Sequence, residues 1–178
     1  AHEMNKVISL MPEFITPQDG DKKQDCEIKA GKRWINHHGK KYKDEVTILG
    51  DDLYAHEPFI RDLLSFGLNF IFVCKPESHK TVYEWVKEST KELIEDRFDG
   101  KAHLIYTYSY VEGVPLKDDQ KAMLVNFVEV TVKERATGKQ LYHNAFITNH
   151  GLTAKTLPTI VDCGRASWKI ENENNNTL

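Results

Sequence analysis

Two aspartates stand side by side in VTILGDDLYA, residues 46–55, directly after a short β-branched run. Adjacent carboxylates repel, and they cannot both enter a core without partners. Two roles suit such a pair. Asp favours turns and helix N-caps, and the segment that follows has helical spacing. Alternatively, one of the two is a metal ligand at the carboxyl end of a strand, where ligands gather in open parallel sheets. Glu171 and Glu173, in WKIENE, are distant in sequence but fall on a helical segment free to pack against the same sheet. If Trp168 packs inward, Glu171, three residues later, projects from nearly the same helical face. Carboxylates from a strand end and a facing helix form an oxygen donor set suited to Mg2+ or Mn2+. Two such ions are the usual apparatus of phosphoryl transfer.

A second chemical feature is KAGKRWINHHGKKYK, residues 29–43, where Lys29, Lys32, Arg33, Lys40, Lys41 and Lys43 alternate with Trp34 and Tyr42. Basic residues interleaved with aromatics grip phosphates and stack on bases, or else form a solvated helix and loop. Lys75 follows a strand end and is either a phosphate contact or a snorkelling surface lysine. Asn174, Asn175 and Asn176 either hydrogen-bond DNA or form a polar helical face. His37, His38 and His79 lack zinc-ligand spacing and read as surface or phosphate-contacting groups. Trp85 and Trp168 read as core.

The elements that must position these residues begin with NKVISLMPEFI, apolar enough for a strand and followed by a PQDG turn. Helical spacing runs through Cys26, Ala30 and Trp34 until HHGKKY closes it. VTILG and LNFIFVCK read as buried strands. Between them, HEPFIRDLLSFG repeats apolar residues with Gly67 as its C-cap. HKTVYEWVKESTKELIEDRF reads as one amphipathic helix with Val82, Trp85, Val86 and Leu93 on one side. Strand, helix, strand, helix implies parallel strands joined by right-handed crossovers. After Gly100 the pattern changes. AHLIYTYSYV, AMLVNFVEVTVKE and QLYHNAFITN read as an antiparallel meander, and a final helix starts near Pro158 with a possible bend near Gly164.

The bulk composition restricts the function classes. The chain has 178 residues, 40% hydrophobic and 29% charged, with a net charge of −3 that argues against a uniformly basic nucleic-acid binder. No apolar run is long enough to span a membrane. Cys26, Cys74 and Cys163 form no C-x-x-C pair, which suits a reducing cytoplasm rather than a disulfide framework. Ala1 is no initiator methionine, and Leu178 ends an Asn-rich stretch without a stop signal, so the expectation is a fragment.

Four stretches, TPQDGDKKQDCEIKAGKRW, TILGDDLYAHEPFIRDLL, FIFVCKPESHKTVYEWV and GRASWKIENENNNTL, together resemble DDE transposases of bacterial insertion sequences, in the broad insertion-sequence-four group. The resemblance spans nearly the whole chain. It implies an α/β fold with an RNase H-like core whose opening strands lie ahead of this region. On that reading residues 1–100 are a partial core, 101–150 an antiparallel β insertion, and 151–178 the closing catalytic-helix segment. The family's D-x-x-[FY] pattern aligns with Asp51 and Tyr54, and its W-x-[IV]-E helix aligns with Glu171. The resemblance thus implies that Asp51 and Glu171 are catalytic ligands of Mg2+ (or Mn2+). Asp52 remains an alternative to Asp51, and Glu173 a solvent-facing or outlying contact. The implied substrate is double-stranded DNA at transposon ends and target, handled by a homodimer of the full-length enzyme. Its DNA contacts would be Lys32, Arg33, Lys40, Lys41, Lys75, Arg165, Asn174 and Asn175.

The sequence departs from the family pattern in three places. The first catalytic Asp would precede this region, since Asp19 and Asp25 fall in a turn and on a helix. Ser167 stands where the family helix carries Arg, with Arg165 displaced by two positions. Leu178 stands where a basic residue follows the catalytic Glu. Two of three acidic ligands predict no activity for this chain alone. An RNase H-like nuclease without strand transfer is a competing expectation. So is a decayed remnant that binds DNA weakly through residues 29–43.

Overall fold

The computed structural model describes residues 12–15 and 23–174, with side chains at 12–15 and 26–166. The first part of the expected NKVISLMPEFI strand lies outside these. Its last four residues, 12–15, are not a strand; Glu13 and the Phe14 carbonyl instead accept hydrogen bonds from the Arg33 guanidinium.

Helix α1, Lys23–His38, buries Cys26 and Ala30, one turn apart, and Ile35. A short 3-10 turn, Gly39–Tyr42, then leads into strand β1, Thr47–Gly50. Helix α2, Glu57–Ser65, connects β1 to strand β2, Asn69–Val73, and buries Phe59, Ile60 and Leu63. Its C-terminus closes as expected at Gly67. That residue takes φ +70°, its N–H donates to the Leu64 carbonyl, and Leu68 N–H reaches back to Leu63. Strands β1 and β2 pair in parallel with Thr47 opposite Asn69 and Gly50 opposite Phe72. The β-branched, apolar reading of these two segments is therefore matched by a parallel pair with a helical crossover.

Helix α3, Lys80–Ser89, is shorter than its sequence pattern suggests. Residues Lys91–Phe98 form strand β3 instead, so the single helix read through HKTVYEWVKESTKELIEDRF is corrected. KELIEDRF has high intrinsic helix propensity, but it also alternates in character, and it pairs from Lys91 opposite Tyr110 to Phe98 opposite His103. A full antiparallel ladder outweighs a few tenths of a kcal/mol per residue of helix preference. Strand geometry turns Leu93, Glu95 and Arg97 to one face and Ile94 and Phe98 outward. The core reading of Trp85 also fails: α3 buries Val82 and Val86, and Trp85 is 57% exposed.

Arg97 anchors β3. It donates to Asp162 (3.1 Å), to Glu95 (2.9 Å) and to the Tyr108 hydroxyl (2.7 Å), and stacks over Tyr106. Truncation as Arg97→Ala removes these contacts together, and chemical denaturation should show a loss of about 1–2 kcal/mol.

Strands β4 (His103–Pro115), β5 (Leu124–Glu134) and β6 (Gln140–Thr148) complete the meander, close to the expected segments. Strand β6 pairs antiparallel with β2, Val73 opposite Phe146, so all six strands form one sheet in the order β1-β2-β6-β5-β4-β3. Helix α4, Leu157–Asn174, begins where the pattern predicted. One sheet face, with Phe70, Phe72, Phe127 and Ile147, packs on Phe59, Ile60 and Leu63 of α2 and on Val82 and Val86 of α3. The opposite face, with Ile71, Val128, Val130 and Phe146, packs on Leu157, Ile160 and Val161 of α4. The fold is mixed α/β with a mostly antiparallel sheet. Among the described residues, no helix is long and apolar enough to cross a membrane.

Candidate functional site

Strand alternation assigns the faces of β1. Gly50 lies against Phe72 and Tyr54, and Ile48 joins the cluster beneath α2. Leu49 belongs to the cluster beneath α4. Asp51, in extended backbone at φ −79° and ψ −174°, continues the Thr47–Leu49 face and emerges on the α4 side. It is the N-cap of a 3-10 turn, Asp52–Tyr54, and its Oδ1 accepts the Leu53 N–H at 3.0 Å. The other oxygen has no hydrogen-bond partner among the described residues, and the residue is exposed.

Asp52 is placed very differently. Its Oδ1 accepts the Lys75 N–H at 2.8 Å, and its Oδ2 accepts the Ser78 hydroxyl at 2.5 Å. His79 Nε2 lies 3.2 Å from Oδ1, near enough for charge contact but without hydrogen-bond geometry. The Asp52 side chain is only 14% exposed. The like charges are thereby parted: one is absorbed into the loop between β2 and α3, the other left open. His79, read from sequence as a surface group, is corrected to a buried one, 4% exposed, because the loop folds it beneath Asp52 and beside His56.

Helix α4 approaches the same edge of the sheet. Strand β6 runs antiparallel to β2, so the chain leaves it at the amino ends of β1 and β2. There Thr148 Oγ1 donates to the Phe70 carbonyl, and His150 Nε2 lies 3.0 Å from Thr47 Oγ1. The helix then returns across the sheet and packs on β1, β2 and β5. By Gly164 it has reached Phe146, the cross-strand neighbour of Val73 near the carboxyl end of β2. Seven further residues add about 10 Å of helix rise, which carries the backbone at Glu171 past that end. The side chains of Trp168, Glu171, Glu173 and Asn174 lie outside the described residues, as does Asn175 altogether.

The expected DNA contacts separate into several environments. Lys32 is paired with Asp62 at 2.9 Å, and Arg33 with Glu13 at 2.8 Å. Trp34 and Tyr42 stack on each other, half-buried against the core, rather than lying open to bases. Lys40 and Lys41 are exposed on the 3-10 turn, with Lys41 over the Tyr42 ring. Arg165 is held between α4 and the sheet, stacked over Tyr142 and donating to the Tyr106 hydroxyl at 3.0 Å. Lys75 is exposed at the carboxyl end of β2, one peptide from Asp52, with no ion pair among the described residues. Of the basic residues that the sequence suggests as DNA contacts, Lys75 is thus the one adjoining the aspartate pair.

A cleft of about 460 Å³ opens on the α2 and α3 side of the same edge, lined by His56, Glu57, Arg61, Ser78, His79 and Lys117. Sequence spacing did not single it out, because Lys117 arrives from the β4–β5 connection. Its charges are mutually engaged: Arg61 donates to Glu57, and Lys117 Nζ lies 3.1 Å from the same carboxylate. Among the described residues, no three His, Cys, Asp or Glu side chains converge as a metal-binding group.

Burial holds the imidazoles of His79 and His150 below the ordinary histidine value, with Asp52 opposing that shift at His79. Both groups bind protons more readily in the unfolded chain, so their contribution is complete above about pH 6.5 and is lost as pH falls from there through the folded values. Urea midpoints should therefore hold steady from pH 8 to 7 and decline between pH 6.5 and 5.5. His150→Gln, which retains a donor for Thr47, should make that decline shallower.

No protein-family model matches this chain, and no curated protein matches it significantly.

Proposed function

We propose that this chain carries part of the catalytic core of a DDE-type DNA transposase with RNase H-like architecture. The observation that carries the reading is the relation of Asp51 to α4. An open carboxylate ends a parallel strand on the sheet face that the last helix crosses, and that helix continues past the same edge through Glu171. An exposed carboxylate with one oxygen unengaged suits a hard divalent cation. Asp51 and Glu171 would hold Mg2+ or Mn2+, which when bound supplies Lewis-acid activation for phosphodiester hydrolysis and transfer. The outer edge of β1, unpaired among the described residues, is where a further strand would bring another carboxylate alongside Asp51. Of the expected DNA contacts, Lys75, Lys40 and Lys41 are exposed and available to phosphates of double-stranded DNA. The internally paired Lys32, Arg33 and Arg165 serve the fold first.

Mn2+ titration followed by NMR tests this directly, without requiring turnover. Paramagnetic broadening should appear together at the amides of 51–53 and 170–172, and Asp51→Ala should remove both. Broadening confined to one segment, or unaffected by Asp51→Ala, rejects the shared site. If the site is present, inverted-repeat DNA joined to target by the full-length enzyme distinguishes a transposase from a nuclease that only cuts.

A further inference from the structure

We propose that Asp52 is the positioning residue for Asp51, acting by clamping the turn after β1 to the loop after β2. This rests on the metal-site reading of Asp51. One carboxylate, largely withdrawn from solvent, engages the Lys75 N–H and the Ser78 hydroxyl and touches His79, all at least 23 residues downstream. Backbone bonds from Tyr54 N–H to the Asp51 carbonyl and from Ala55 N–H to the Asp52 carbonyl close the turn around it. With residue 52 held at its side chain and its carbonyl, and the Asp51 carbonyl bonded to Tyr54 N–H, the backbone at Asp51 is restrained in the turn. Leu53 N–H then fixes one Asp51 oxygen, which leaves the other without a hydrogen-bond partner among the described residues.

The same clamp sets the backbone of Lys75 beside the turn, which keeps its exposed side chain rooted next to the open carboxylate. Metal ligation by Asp52 itself is disfavoured by the same bonds. Either oxygen would have to abandon a donor that has no other partner in the loop. The assignment explains why both aspartates are present: ligand and holder must be adjacent for a single carboxylate to fix its neighbour's backbone.

The test compares Asp52→Asn with Asp52→Ala in the full chain. Asparagine keeps an acceptor for the Lys75 N–H and turns an amide donor toward Ser78 Oγ, so it preserves the clamp while removing the charge. In metal-free protein, Asp52→Ala should speed amide exchange at Leu53 and Lys75 by about tenfold or more, as expected for loss of one buried hydrogen bond, whereas Asp52→Asn should change it less than about threefold. Mn2+ affinity should fall about tenfold or more in Asp52→Ala, the usual scale for losing a group that orients a ligand, and within about threefold in Asp52→Asn. Unchanged Leu53 exchange in Asp52→Ala overturns the clamp. Loss of Mn2+ binding in Asp52→Asn as complete as in Asp51→Ala overturns it in favour of direct ligation. Absence of Mn2+ binding in the unsubstituted chain rejects the metal reading alone, and the exchange rates still decide whether Asp52 holds Asp51.

Discussion

Phe146→Ala is expected to lower the unfolding free energy by about 3–5 kcal/mol, the usual cost of emptying a buried phenylalanine site. Phe146 is 1% exposed and lies in β6 between Val73 of β2 and Val128 of β5. It therefore underlies the seam that joins the parallel pair to the meander, and it also forms the floor on which α4 rests. The void cannot be refilled by rotation of a neighbour, because the residues around it are strand-bound and packed on both sides. Urea denaturation should show the lower midpoint, and a thermal scan a fall of roughly 10 °C for a chain of this size. A loss below about 1 kcal/mol would mean that α4 does not bear on this ring.

Gly164→Val addresses the same contact from the helix. A Cβ at this position would stand 2.7 Å from Phe146 Cε1 and 2.8 Å from Cζ, closer than side chains tolerate. The ring is buried and has no room to retreat, so the helix must lift. The gain in helix propensity over glycine, under about 1 kcal/mol, is smaller than the overpacking penalty of about 1–3 kcal/mol. Destabilisation is the expected sign, and Gly164→Ala should fall between the two. Because Glu171 lies two turns further along, lifting α4 should also weaken any Mn2+ site shared with Asp51. Broadening at 170–172 should then diminish more than broadening at 51–53. Equal stability of Gly164→Val and the unsubstituted chain would refute the close approach of α4 to β6.

Much of this arrangement is legible in the sequence wherever local preference and tertiary need agree. VTILG and LNFIFVCK are β-branched and apolar because a parallel strand is covered on both faces, and Gly67 marks a helix end because its backbone takes a left-handed conformation. KELIEDRF reads as helix because its residues favour a helix locally, while the partner that makes it a strand, β4, is supplied by the fold. The two aspartates are identical in type and adjacent in chain. Only the position of Lys75, Ser78 and His79 in space distinguishes their roles. Trp34 and Tyr42 looked available to bases because sequence shows their basic neighbours but not their mutual stacking. His79 looked exposed for the same kind of reason: its burial comes from a loop folding back on a residue 27 positions earlier.

The seam between β2 and β6 also has a kinetic consequence. Val73 and Phe146 are paired across 72 residues of intervening chain, whereas β3, β4, β5 and β6 meet one another through short connections. Closing the long loop carries an entropic cost that the hairpins avoid. The meander closes through local hairpins, whereas β2, though already paired with β1, keeps its other edge open until β6 is made. A site drawing on both Asp51 and α4, which follows β6 in the chain, can be completed only after that seam has closed.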